Sequence, residues 1–232
     1  MIKIKKNFSS KKTFFSPSQK NYFFSLGGKP ILSRPKGAKF IVFEGLDGSG
    51  QSTQANLLRD FLTKKGLKVV LAKEPTLDSE AGKKIRKVLD KKEIISYEKL
   101  QKLFVQDRKE HLKNLIIPAL KKGKTVICDR YFFSTFAYGK AQGLSLNWLI
   151  KLNEKFLLPD LIFILKTRPL ICIKRIIKRN LKRTFFEEKE KLIKVWQAYK
   201  DLPKYFKNVY IIDGEKKINE VFSEIKNKFL SL

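Results

Sequence analysis

No stretch of the 232-residue sequence approaches the roughly 18 to 20 consecutive apolar residues that span a bilayer, because Lys, Arg, Asp or Asn interrupts every candidate. A membrane-spanning helix is excluded and a soluble protein is expected. Cysteine is nearly absent too. Cys128 and Cys172 each sit inside an apolar segment, which favours reduced buried thiols over a disulfide framework and hence a reducing cytosol. The chain has no internal repeat and no recognised nucleic-acid-binding module. Acidic residues form the third shortage: 22 Asp and Glu stand against 51 Lys and Arg, a net charge of +29. That sign fits nucleic acid, an acidic membrane surface or anionic small substrates. It fits equally a compositional bias rich in Lys, Ile, Phe and Asn with no partner behind it.

The length suits one α/β domain with a full core and is too short for two large ones. Residues 1–36 carry nine of the basic residues and none of the acidic ones, and the remaining 42 against 22 leave a charge of +20. The excess is therefore spread along the chain. Pro17, Pro30, Pro35 and the Gly27-Gly28 pair interrupt this first segment, which shows no sustained period of 2 or 3.6. It reads as a flexible extension ahead of a domain at 37–232. Its basic, serine-rich character also suits an organelle-targeting presequence, although lysine outnumbers arginine there.

From Lys39 onward short apolar runs alternate with longer helical stretches, the pattern of a doubly wound parallel sheet flanked by helices on both faces. Five strands are expected at 40–44, 68–73, 125–129, 161–165 and 209–212. Helices are expected at 52–65, 79–90, 97–121, 146–156, 170–180, 187–200 and 216–229, with Pro118 expected to kink or end the third.

The stretch FIVFEGLDGSGQSTQANLL, residues 40–58, runs from a strand through a glycine loop into a helix. Gly45, Gly48 and Gly50 clear side chains from the loop, so that successive N–H groups can converge on phosphate oxygens in front of the helix dipole. The spacing fits G-x-x-x-x-G-K-[ST] except that Gln51 fills the lysine position, replacing a charge with an amide. Ser52 would reach Mg²⁺ and Thr53 would satisfy the first turn. Farther along, Asp129 ends a buried strand and Arg130 follows it, a pair able to hold a metal and a phosphate, or simply a strand-end ion pair.

Glu44 to Gly50 as E-G-x-D-G-x-G, with Asp129 to Tyr138 as D-R-Y-x-x-S-[ST]-x-A-Y, resembles the thymidylate kinase family of P-loop nucleoside monophosphate kinases. The resemblance runs from about Lys39 to the C-terminus. It implies an ATP- and Mg²⁺-dependent phosphorylation of dTMP, a homodimer and a cytoplasmic enzyme. Donor phosphates would lie on Gly45, Asp47, Gly48, Ser49, Gly50, Gln51, Ser52 and Thr53, with Mg²⁺ on Ser52 and Asp129. In KEPT, Glu74 matches the family motif while Lys73 replaces its arginine, keeping charge but losing the fork. LFVQDRKEH resembles the family's helix segment that would set Phe104 against the base and Arg108 on the monophosphate, although core packing and a solvated face are the ordinary alternatives. Arg130 would share the acceptor phosphate, Asp47 would face the sugar 3'-hydroxyl or merely cap the loop, and Thr135 and Tyr138 would line the pocket. His111, the single histidine, reads as structural.

The glycine loop holds no arginine to replace the missing lysine. Residues 173–192 resemble the family's mobile helical lid and space Arg175, Arg179 and Arg183 four apart, one helical face that could close on ATP. Arg179 and Arg183 are the catalytic candidates beside Asp129 and Arg130. An exposed basic helix is the competing reading. At the level of function, a catalytically inactive nucleotide-binding paralogue and a basic nucleic-acid-binding protein stand as alternatives to the kinase.

Overall fold

The structure, a computed structural model, describes residues 23–24, 30–31, 34–35, 37–178, 185–206 and 208–231. Within the first segment, β1 (Phe23–Phe24) pairs antiparallel with β2 (Pro30–Ile31). The remaining strands, β3 (Phe40–Gly45), β4 (Val69–Lys73), β5 (Thr125–Asp129), β6 (Leu161–Lys166) and β7 (Val209–Asp213), form one parallel sheet in the order β4-β5-β3-β6-β7. All five lie within a residue or two of their expected positions. β3 is central and buried throughout. Its alternate side chains divide the core: Phe40 and Val42 face one apolar cluster, Ile41 and Phe43 the other. Helices on both faces are therefore required, as a doubly wound sheet demands.

One face carries α1 (Gln51–Lys64) and α9 (Ile218–Leu230), through Leu58, Leu62, Val221 and Ile225. The other carries α5 (Phe132–Ala141), α6 (Leu146–Asn153) and α8 (Phe185–Asp201), joined by Cys172 and Ile173 of α7 (Pro169–Ile177), while α2 (Glu80–Leu89) and α3 (Tyr97–His111) pack against each other. α5 was not among the expected helices. Phe132, Phe133 and Phe136 are all essentially buried and its apolar residues surround the axis, so no amphipathic period announces it. The long helix at 97–121 is continuous but changes pitch: a π-helical turn, Leu112–Ile116, precedes α4 (Ile117–Lys121), with Pro118 in α4's first turn. The wider turn accommodates a residue that lacks an N–H and crowds the carbonyl four residues back.

Arg34 pairs with Asp160, which also accepts from the Phe40 N–H at 2.7 Å, so the segment ahead of β3 is fastened to the loop before β6. Among the described residues no helix is long and apolar enough to cross a membrane.

Candidate active site

The phosphate loop leaves β3 at Gly45 and enters α1 at Gln51, at the carboxyl end of the sheet where such folds bind ligands. Two of its glycines are required by close approach as well as by positive φ. A Cβ on Gly45 would come within 2.6 Å of Ser49 Oγ, and one on Gly48 within 2.6 Å of the Cys172 carbonyl on α7. From behind, Arg175 Nη1 donates to the Ser49 carbonyl at 3.3 Å, and its Nη2 donates to Gly214 at 3.1 Å. Thus one of the three regularly spaced arginines braces the loop's main chain. Arg179 and Arg183 lie outside the described residues.

Gln51 is buried and folded onto the loop: its Nε2 donates to the Gly45 carbonyl at 3.1 Å and its Oε1 accepts from Ser49 Oγ at 2.9 Å. Ser52, next along, donates through Oγ to Asp129 Oδ2 at 2.5 Å. Lys73 Nζ stands 3.6 Å from the same carboxylate oxygen. A hydroxyl and a carboxylate meeting at a helix N-terminus are the hard oxygen donors that Mg²⁺ uses when substrate phosphates and water complete its shell. That ion needs no larger protein cage, and among the described residues no cluster of three His, Cys, Asp or Glu forms one.

Arg130 takes φ 74, a left-handed conformation unusual for a non-glycine residue. Its Nη1 donates to the Gly45 carbonyl and to Ser134 Oγ, both at 3.0 Å, and its Nη2 donates to Asp47 Oδ1 at 2.7 Å. The Tyr138 ring lies 5.6 Å from the guanidinium. The glycine loop and Arg130 are therefore one hydrogen-bonded structure.

Arg108 is buried at 1 % exposure, its Nε donating to Glu74 Oε2 at 2.8 Å, Nη1 to Asn153 Oδ1 at 2.6 Å and Nη2 to Thr135 Oγ1 at 3.3 Å. Tyr131 and Phe156 flank it at 5.1 and 5.7 Å. Glu74 holds His111 Nδ1 at 3.2 Å on its other oxygen, which gives the histidine a structural place. Phe104, half-buried one turn before Arg108, stands outside both apolar cores among the described residues.

Several residues that organise this site escaped the sequence reading. Asp107 accepts from the Thr76 N–H at 2.9 Å and from the Thr76 and Ser79 hydroxyls at 2.5 Å, fixing the loop after β4. Asn153 reaches Arg108 from α6. Glu44 and Ser134 stand inside the two motifs without an assigned role, and Tyr199 reaches them from α8. Adjacency to Arg108 could have flagged Asp107, and membership of the two motifs Glu44 and Ser134; Asn153 and Tyr199 carry no local signal.

The family model for thymidylate kinase matches residues 43–225. A probable thymidylate kinase of Pyrococcus horikoshii is 44% identical over 191 residues, covering 80% of this chain and 93% of that protein. The thymidylate kinase of Leptospira interrogans is 39% identical over 195 residues, covering 83% and 94%. That of Caldicellulosiruptor saccharolyticus is 38% identical over 194 residues, covering 81% and 94%. With both motifs converging on one carbonyl of the phosphate loop and the match covering all of the parallel sheet but the first three residues of β3, the chain belongs to the thymidylate kinase family.

Proposed function

We propose that the protein transfers the γ-phosphoryl group of ATP to a phosphate oxygen of dTMP, releasing ADP and dTDP for dTTP synthesis. The P–O bond to the β-phosphate breaks as the new bond to the acceptor oxygen forms. A dianionic acceptor phosphate needs no protein base, so the work is positioning and charge stabilisation. The observation that supports this reading is the shared anchorage of Arg130 on Gly45 and Asp47, since an arginine so held could serve the acceptor beside a donor bound to the loop.

In this reading residues 45–53 cradle the donor phosphates. Ser52 and Asp129 hold Mg²⁺, which when bound neutralises phosphate charge. Arg130 grips the acceptor phosphate and Asp47 turns to the sugar 3'-hydroxyl. Phe104 stacks on the base, Thr135 and Tyr138 close the pocket, and Arg108 is held in place from behind by Glu74 and Asn153. Lys73, beside Asp129, adds positive charge, and Arg179 and Arg183 supply the remainder from the lid. Residues 37–232 form the catalytic domain and residues 1–36 an extension of it. A cytoplasmic homodimer completes the reading; Leu77, Ile94 and Tyr97, left exposed around α2 and α3, support a second copy as their cover.

The test is an ADP-release assay with ATP, Mg²⁺ and dTMP, dUMP, dCMP, dGMP or dAMP in turn. Turnover selective for dTMP is expected. Binding of both nucleotides without turnover would sink the proposal.

A further inference from the structure

Glu44 is fully buried at the carboxyl end of β3, and nothing in the phosphoryl transfer just described uses it. Its Oε1 accepts from the backbone N–H groups of Tyr131 at 2.8 Å and Ser134 at 3.2 Å. Its Oε2 accepts from the hydroxyls of Ser134 and, at 2.9 Å, Tyr199. The Ser134 oxygen also accepts from Arg130 Nη1 and lies 3.0 Å from the Tyr199 hydroxyl. A continuous line of hydrogen bonds thus runs from α8 through the central strand to the guanidinium that faces the acceptor.

Two features make this line more than packing. The first turn of α5 has no side-chain cap of its own, and Glu44 serves that function from a neighbouring strand. Arg130 sits in a costly backbone region, which persists only where surrounding groups over-determine it. With Glu44 ionised, Ser134 directs its proton at the carboxylate and presents a lone pair to Arg130. A neutral Glu44 would have to donate its own proton to one of these oxygens, and the hydroxyl pattern would reverse.

We propose that Glu44, Ser134 and Tyr199 form a positioning network that fixes Arg130 for the acceptor phosphate and ties that grip to α8. The inference rests on the dTMP kinase reading and adds to it residues that do not touch substrate. Burial supports a switchable character: it pushes the Glu44 carboxyl up to about 7, against the opposing pull of Arg130 and of its hydrogen-bond donors. The ionisable groups that face it are Arg130, Tyr138, Tyr199 and Cys128.

The test uses the full chain and the variants Tyr199→Phe, Ser134→Ala and Glu44→Gln, each examined for kcat, separate KM values for dTMP and ATP, dTMP affinity by calorimetry, and thermal midpoint. Loss of one hydroxyl should raise the dTMP KM and Kd by about three- to tenfold while the ATP KM stays within about twofold. The pair Glu44→Gln with Tyr199→Phe should be no worse than Glu44→Gln alone, as expected of groups acting in series. Natural dTMP affinity in both folded hydroxyl variants, or equal weakening of ATP and dTMP, would overturn the positioning role. Those two variants decide the matter even where Glu44→Gln fails to fold. A natural protein that neither binds nor turns over dTMP would instead overturn the kinase reading, and the network's role with it.

Discussion

Gln51 and Arg130 donate to the same oxygen, the Gly45 carbonyl, at 3.1 and 3.0 Å. The residue in the lysine position and the arginine of the second motif therefore meet on the loop's main chain. An amide there keeps the loop shape through its second bond, to Ser49, but brings no charge to the phosphates.

Gln51→Lys should raise kcat by about tenfold or more, since a charge-assisted contact to the moving phosphoryl group replaces a neutral one. The dTMP KM should hardly change. Steady-state ADP release on the two proteins side by side checks it, and an unchanged kcat would mean that other cations already meet the requirement.

Asp129→Asn should lower kcat by about 10²-fold and raise the Mg²⁺ concentration needed for half-maximal rate. Titration of Mg²⁺ at saturating ATP reads this directly. The shift should exceed that in Ser52→Ala, because a carboxylate binds the ion more strongly than a hydroxyl.

Gly48→Ala places a methyl group 2.6 Å from the Cys172 carbonyl at φ +84. A cost of about 1–3 kcal/mol in stability is expected from backbone strain and the clash. ATP affinity should fall with it, because the loop must move off α7. Urea unfolding and nucleotide titration separate the two effects.

Arg108→Met leaves Glu74 buried without its cation, a change that should cost about 3–5 kcal/mol. Adding Glu74→Gln should restore part of that loss, since the stranded charge is the larger share. A double-mutant cycle in urea measures the recovery.

Glu44 should oppose stability and activity in pH. Its folded pKa, about 7, exceeds the ordinary 4.5, so its contribution to stability is present below the lower value and is lost as pH rises through the upper one. Acceptor binding needs the ionised form and should weaken as pH falls through the same range. Urea midpoints and dTMP KM values should both fall from pH 5.5 to pH 8, stability declining while affinity improves, and Glu44→Gln should lose both trends beyond the titration of dTMP itself.

The sheet was legible because buried parallel strands read as short apolar runs, and the loop because glycines and a following helix start are local features. α5 was not, since an aromatic helix buried all round offers no period to detect. Asp129, Arg130 and Ser52 stood in motifs and are brought together. The arrangement behind them was hidden for a different reason: Asn153 and Tyr199 act across 45 and 155 residues of sequence, on Arg108 and Glu44, and such pairings follow only from the packing of helices on the sheet.

The strand order also constrains how this enzyme comes into being. β3 pairs with β5 and β6 and not with β4, which follows it in the chain. A nascent chain that has reached residue 120 holds its phosphate loop on a strand with neither neighbour yet synthesised. Until β5 and β6 emerge, the central strand has bare apolar edges, and the phosphate loop lacks the neighbours that hold it in the folded sheet.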